Sequence, residues 1–183
     1  SYHGLTYSKD FGEAAYITKA TVQLMRDLGS IPAAHNAFLL NVGLESLHLR
    51  MARHCENAKK VAEYLKSNEK ITWVKCPMLE NDAQYEIAKK YMPNGTCGVV
   101  SFGIKGGREA GIKFMNSLKL AAIVTHVADA RTCCLHPASS THRQLTDAEL
   151  AEAGVTPDLI RFSCGIEAAE DIIEDIQQAL DQI

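Results

Sequence analysis

Apolar residues recur at helical spacing twice before residue 67, then give way to short alternating runs. The chain therefore reads as helices first and mixed helices and strands afterwards. In Asp10-Phe11-Gly12-Glu13, Asp10 stands as an N-cap three residues before a Glu. Ala14, Tyr16, Ile17, Ala20, Leu24, Met25 and Leu28 follow at steps of three and four up to Gly29. This predicts a helix over 14–28. From Ala37-Phe38-Leu39-Leu40 through Leu44, Leu47, Met51, Cys55, Ala58, Ala62 and Leu65 the same spacing predicts one long helix. Arg50, Arg53, Glu56, Lys59, Lys60 and Glu63 take its solvated side.

Beyond residue 67 the pattern shortens. Ile71-Thr72-Trp73-Val74-Lys75 is β-branched and aromatic, and residues 98–104 alternate before a Lys105-Gly106-Gly107 turn, so both predict strands. Between them residues 81–91 predict a short helix capped by Asn81, and 109–118 predict another. Residues 121–124 and 131–135 are short strands, and Thr146-Asp147-Ala148-Glu149 is a capping box opening a helix that stops at Gly154. A strand over 159–164 precedes a last helix. Its apolar face is Ile172, Ile173, Ile176, Ala179, Leu180 and Ile183, with Glu170, Asp171, Glu174, Asp175, Gln178 and Asp181 opposite. The order predicts an α+β fold, a small mostly antiparallel sheet covered by helices and preceded by a long helix. The expected division is a helical region over 1–67 and a small α/β domain over 68–183.

Length and charge narrow the classes. The 183 residues are 46% hydrophobic and 22% charged, and a chain of this size buries roughly 70% of its unfolded surface without disulfides or a metal. Nineteen Lys and Arg against 22 Asp and Glu give a net charge of -3 with no basic stripe, which argues against nucleic acid and against an electrostatic membrane anchor. No apolar run is long enough to span a bilayer. The opening Ser1-Tyr2-His3-Gly4-Leu5 has no signal-peptide character, and the missing initiator Met suits processing and a chain cut from a longer one equally. Cys55, Cys76, Cys97, Cys133, Cys134 and Cys164 contain no CxxC, so free thiols in a reducing cytoplasm are expected and no metal site is.

Candidate chemistry is sparse. Ser139 and Ser140 lie close to His142, but a polar run after a strand ordinarily bonds its own backbone. Cys133-Cys134 predicts one buried and one half-exposed thiol rather than a redox couple, since neighbours on a strand point oppositely. His48 and His54 lack zincin spacing, and Lys105-Gly106-Gly107-Arg108 lacks Walker spacing. Arg161 stands apart. It sits in the middle of an apolar strand, Leu159 to Gly165, where a guanidinium requires a partner: an internal Asp or Glu, or the carboxylate of a small substrate.

The stretches 136–142 (HPASSTH), 154–167 (GVTPDLIRFSCGIE) and Asp171-Ile172-Ile173-Glu174-Asp175 with Ala179-Leu180 resemble the C-terminal part of the Cys/Met-metabolism family of pyridoxal-phosphate enzymes. Tyr2-His3-Gly4, Arg26-Asp27-Leu28-Gly29, Leu49-Arg50-Met51, His54, Asn57-Ala58 and Lys105-Gly106-Gly107 are similar to its O-acetylhomoserine sulfhydrylase branch. The resemblance is colinear from about residue 2 to the end. It implies a fold-type-I transferase in which a lysine holds pyridoxal 5'-phosphate as a Schiff base. Acetate leaves O-acetylhomoserine, and sulfide or methanethiol adds to give homocysteine or methionine.

Arg161 matches the family's substrate-carboxylate arginine. His126 is carried over as a substrate-pocket position: where many relatives show Ser or Asn, then Gly two residues on before an Asp, this chain reads His126-Val127-Ala128-Asp129. The family's cofactor-binding aromatic, aspartate and Ser-x-x-Lys stretch match nothing here, and Lys19 of Thr18-Lys19 reads as a solvated helix residue. The expectation is therefore a chain with no catalytic or cofactor-binding residue of its own, inactive without an N-terminal pyridoxal-phosphate domain and assembling as a homo-oligomer. A cystathionine γ-synthase, a methionine γ-lyase or a non-catalytic oligomerisation module remain alternatives.

Overall fold

The computed structural model describes residues 3–183; Ser1 and Tyr2, the latter part of the Tyr2-His3-Gly4 stretch, lie outside the described residues. The chain divides into two units, one ending at Ser46 and one running from Leu47 to Ile183.

In the first unit α1 (Tyr7–Asp10) and a 3-10 turn over Gly12–Ala14 precede α2 (Ala15–Lys19), a π-helical stretch over Ala20–Met25 and α3 (Arg26–Leu28). Asp10 does not cap the 14–28 helix. Its carboxylate instead accepts the Thr6 N–H at 2.7 Å, which ties it to the start of α1. The expected stop holds: Gly29 adopts φ 65° and its N–H reaches the Met25 carbonyl at 2.8 Å, a left-handed ending that glycine takes without steric cost. α4 (Ala34–Glu45) has no polar face, and Phe38, Leu39, Leu40 and Leu44 are exposed.

The long helix predicted over 37–65 is two helices. The chain leaves helical geometry at Ser46 (φ -106°, ψ 3°), and α5 begins again at Leu47–Ser67. Spacing does not register the break, because Leu44, Leu47 and Met51 keep steps of three and four across it. Only α5 is two-faced, with Ala58, Val61, Ala62 and Leu65 in the core and Arg53, Glu56, Lys59, Lys60 and Glu63 exposed. Because α5 packs on strands and a helix that follow it, the units separate between residues 46 and 47, whereas the pattern placed the division between 67 and 68.

The second unit is a five-stranded sheet: β1 (Ile71–Lys75), β2 (Val99–Ile104), β3 (Ala122–Ile123), β4 (Cys133–Leu135) and β5 (Leu159–Ser163), in the order β1-β2-β5-β4-β3. All pairs are antiparallel except β3 with β4. Along β2 and β5 alternate residues Val100, Phe102, Ile104, Ile160 and Phe162 enter the core. There they meet α5, α7 (Gly107–Ser117) and α9 (Ala169–Leu180). Phe102 stands edge-on to Phe114 at 6.0 Å between centroids, a favourable aromatic geometry. The mostly antiparallel α+β architecture is thus as expected.

Local chemistry explains the remaining boundaries. α6 (Tyr85–Tyr91) starts later than predicted, because the carboxylate of Asp82, not the Asn81 amide, organises the entry by accepting the N–H groups of Cys76 and Gln84, each at 2.9 Å. The capping box forms at α8 (Asp147–Glu152): Thr146 Oγ1 accepts from the Glu149 N–H, and the Glu149 carboxylate accepts from the Thr146 N–H at 2.8 Å. Asp175 corrects the reading of the last helix. It lies in the predicted polar stripe, yet it is buried, and its carboxylate accepts the backbone N–H groups of Lys119, Leu120 and Ala121 at 2.7, 3.0 and 2.9 Å. It thereby fixes the link from α7 to β3. Among the described residues no helix is long and apolar enough to cross a membrane.

Replacing Asp175 with Asn removes the charge that three N–H groups share and turns a donor toward them, so Asp175→Asn is expected to lower unfolding stability by about 3 kcal/mol. Urea denaturation checks this; a change under about 0.5 kcal/mol contradicts it.

Candidate functional site

Arg161 occupies the middle of β5, opposite Ser101 of β2 and Leu135 of β4 in register. Its neighbours Ile160 and Phe162 turn into the core, so strand alternation sends Arg161 and Ser163 to the other face. That face is crossed by residues 124–132, the connection between β3 and β4. Arg161 Nη2 donates to the carbonyl of Thr125 at 2.7 Å and more weakly to that of His126 at 3.4 Å, and the Ala128 N–H donates to Ser163 Oγ at 3.3 Å. The internal Asp or Glu offered as one partner is not there: among the described residues no carboxylate forms a salt bridge with Arg161. Nε is sealed from solvent without a hydrogen-bond partner. The guanidinium is thus oriented by two carbonyl dipoles, and among the described residues its charge has no acidic partner and Nη1 no acceptor.

His126 is brought to the same place through its backbone, while its imidazole is exposed and lies 3.5 Å from the Asp129 carboxylate. The Arg131 N–H, bonded at 3.0 Å, holds the Asp129 carboxyl below the usual carboxylate range, with His126 and the Arg131 charge adding to it. Ala128 adopts φ 58°, a left-handed conformation that costs a residue with a Cβ roughly 1–2 kcal/mol.

The far end of the segment is clamped. Glu167 accepts the N–H and hydroxyl of Thr132 at 2.7 and 2.9 Å, and the Thr132 oxygen accepts the Gly165 N–H at 2.9 Å. A Cβ at Gly165 would lie 2.5 Å from both the Ala130 carbonyl oxygen and the Thr132 nitrogen, so no side chain fits. On the other side, α5 holds the end of β5. Asn57 donates to the carbonyls of Gly165 and Glu167 at 2.9 and 2.8 Å, and His54 Nδ1 donates to the Cys164 carbonyl at 2.7 Å. Sequence patterning singled out none of Ser163, Thr132, Glu167 or Asn57 for these roles; Asn57 and Glu167 entered only within resembling stretches.

The other candidates resolve into structure. Cys133 and Cys134 are both buried, correcting the expectation of one half-exposed thiol: Cys134 enters the core, while Cys133 donates to the Arg131 carbonyl at 3.2 Å under the crossing segment. Burial pushes both thiols up, away from the thiolate. All six cysteines are free. Ser139 pairs with His136 rather than His142. His136 Nε2 donates to the Pro157 carbonyl at 2.8 Å, so Nδ1 carries the lone pair and accepts from Ser139 Oγ at 2.7 Å. Burial lowers the pKa of this imidazole. Ser140 bonds the His136 carbonyl at 2.6 Å, the backbone role expected of this run. Arg108 bridges the Ala138 carbonyl and Asp147.

A pyridoxal phosphate would need a desolvated lysine for its imine. Every lysine described is exposed except Lys70, which is partly buried and spends its ammonium on the carbonyls of Leu180 and Ile183 at 2.8 and 3.0 Å. The residues present do not form the covalent seat of that cofactor. What they hold is a guanidinium with no acidic partner among the described residues.

A family model described as Cys/Met metabolism PLP-dependent enzyme matches residues 6–181. The homocysteine synthase of Schizosaccharomyces pombe is 47% identical over 98% of this chain and 42% of its own length. The O-acetyl-L-homoserine sulfhydrylase of Leptospira meyeri is 45% identical over 100% of this chain and 43% of its own length. A crystal structure of a Campylobacter jejuni protein described as an O-acetylhomoserine (thiol)-lyase, containing a pyridoxyl-lysine monophosphate, matches with a TM-score of 0.85 and 36% identity, covering 98% of this chain and 42% of that one. The chain spans less than half the length of these relatives.

Because the left-handed geometry at position 128 is tolerated rather than favoured by Ala, Ala128→Gly is expected to raise stability by about 1 kcal/mol, read as a higher urea midpoint. A destabilised variant contradicts the strain assigned to Ala128.

Proposed function

The chain belongs to the Cys/Met metabolism family of PLP-dependent enzymes, and on that premise we propose that it supplies the substrate-carboxylate grip of an O-acetylhomoserine sulfhydrylase. The observation that carries this reading is Arg161: a guanidinium on a half-buried strand, oriented by the carbonyls of Thr125 and His126, with no acidic partner among the described residues and with Nη1 open. A planar carboxylate is the ligand that satisfies such a fork with two charge-assisted hydrogen bonds.

Holding the acid end of an amino acid fixes the rotation about its Cα, which decides the bond presented to the reacting centre. Pyridoxal phosphate supplies the electron sink in enzymes of this kind. Arg161 binds and orients, and the 124–132 segment keeps the guanidinium pointed outward. His126, whose exposed imidazole lies beside Asp129, is the second pocket position in this reading. O-acetylhomoserine and sulfide or a thiol are the substrates in this reading. Turnover requires a cofactor-holding portion such as the longer relatives possess, and a cytoplasmic homo-oligomer is the working form.

In a full-length protein containing this sequence, Arg161→Ala is expected to lower kcat/KM for O-acetylhomoserine by about 30-fold or more, corresponding to the roughly 2–5 kcal/mol lost when one member of a buried, hydrogen-bonded charge pair is truncated. Arg161→Lys restores only part, because a point charge does not replace the fork. Steady-state kinetics with O-acetylhomoserine varied makes the comparison, and an unchanged kcat/KM in Arg161→Ala overturns the assignment.

A further inference from the structure

We propose that Glu167 is a positioning residue for the carboxylate grip, acting through Thr132 to hold the 124–132 segment against β5 so that Arg161 keeps its orientation. The proposal rests on the reading of Arg161 as the substrate's anchor and extends it to a residue that does not touch the substrate.

The geometry forms an unbroken relay. Asn57 on α5 donates to the Glu167 carbonyl at 2.8 Å, which fixes the backbone at that point. The Glu167 carboxylate then uses both oxygens on one residue, accepting the Thr132 N–H at 2.7 Å and the Thr132 hydroxyl at 2.9 Å. Thr132 is fully buried, so these bonds are shielded from competing water. The Ile166 N–H takes the Ala130 carbonyl at 2.9 Å, two residues nearer the site. From this anchor the segment runs back through Ala128, whose strained φ of 58° is held in place by its bond to Ser163, to the His126 and Thr125 carbonyls that aim Arg161.

A strained residue persists only where its surroundings over-determine it. The segment is pinned at both ends, by Arg161 and Ser163 at one and by Glu167 at the other. Releasing the Glu167 end frees Ala128 to relax toward negative φ, which carries the Thr125 and His126 carbonyls away from Nη2.

The test uses a full-length protein for kinetics and the 183-residue chain for exchange. Glu167→Ala is expected to raise KM for O-acetylhomoserine about tenfold, while KM for sulfide stays within about twofold; Glu167→Gln, which keeps an acceptor for the Thr132 N–H, recovers most of the loss. In an Arg161→Ala background Glu167→Ala adds less than about twofold, because there is no oriented guanidinium left to misplace. Backbone amide exchange of residues 126–131 accelerates at least tenfold in Glu167→Ala. If that variant does not fold, Thr132→Val cuts the same relay and is held to the same outcomes.

A lowered melting temperature with both KM values unchanged, or a full tenfold effect on top of Arg161→Ala, overturns the positioning role. If Arg161→Ala alone leaves KM unchanged, the carboxylate reading fails instead. The exchange rates then still decide whether Glu167 tethers the segment: faster exchange upholds the tether and unchanged exchange removes it.

Discussion

Among the described residues the positive charge of Arg161, on a half-buried strand, is met only by the carbonyl dipoles of Thr125 and His126, and that constraint bears on everything packed around β5. Burying a guanidinium without a counter-charge is costly, so the protein leaves its tip open and fixes its direction. Thr125 and His126 aim Nη2, Ser163 holds the crossing backbone through Ala128, and Ile160 and Phe162 anchor the strand from the opposite face. On the proposed reading it is this unpaired charge that draws an anion, since a paired arginine would present little net field to a carboxylate.

The scaffold keeps this arrangement through hydrogen bonds between elements distant in sequence. His54 and Asn57 lie about 110 positions before the carbonyls they hold, and Asp175 secures the approach to β3 with three backbone bonds. Each places a polar side chain where backbone groups leave regular structure, the place where orphan donors and acceptors concentrate. The order of the site therefore comes from α5 and α9 as much as from the strands.

The parts of the fold that depend on period were legible in the chain. β2, β5 and α9 alternate or recur cleanly, and the Thr146 capping box and the Gly29 stop carry local chemistry that needs no tertiary context. The break at Ser46 was not legible, since apolar spacing runs through it. Asp175 looked like one more acid on a solvated stripe because the three N–H groups that recruit it belong to a segment 54–56 residues away. Cys133 departs from expectation for a related reason: alternation predicts which face a side chain takes but not that the 124–132 connection covers that face. Arg161 was visible as an anomaly of charge among apolar neighbours, while its assignment to a carboxylate drew on resemblance. The pairings of His136 with Ser139 and of Glu167 with Thr132 carry no sequence signal, because the chain brings them together only on folding.

The account turns on an anion reaching Arg161. A crystal structure of the full-length protein with an unreactive carboxylate analogue of O-acetylhomoserine tests it most directly. The expected result is the analogue's carboxylate within hydrogen-bond distance of Arg161 Nη1, with the Thr125 and His126 carbonyls still on Nη2. A carboxylate bound elsewhere, or an aspartate or glutamate from another part of the protein paired with Arg161 in its place, contradicts the account.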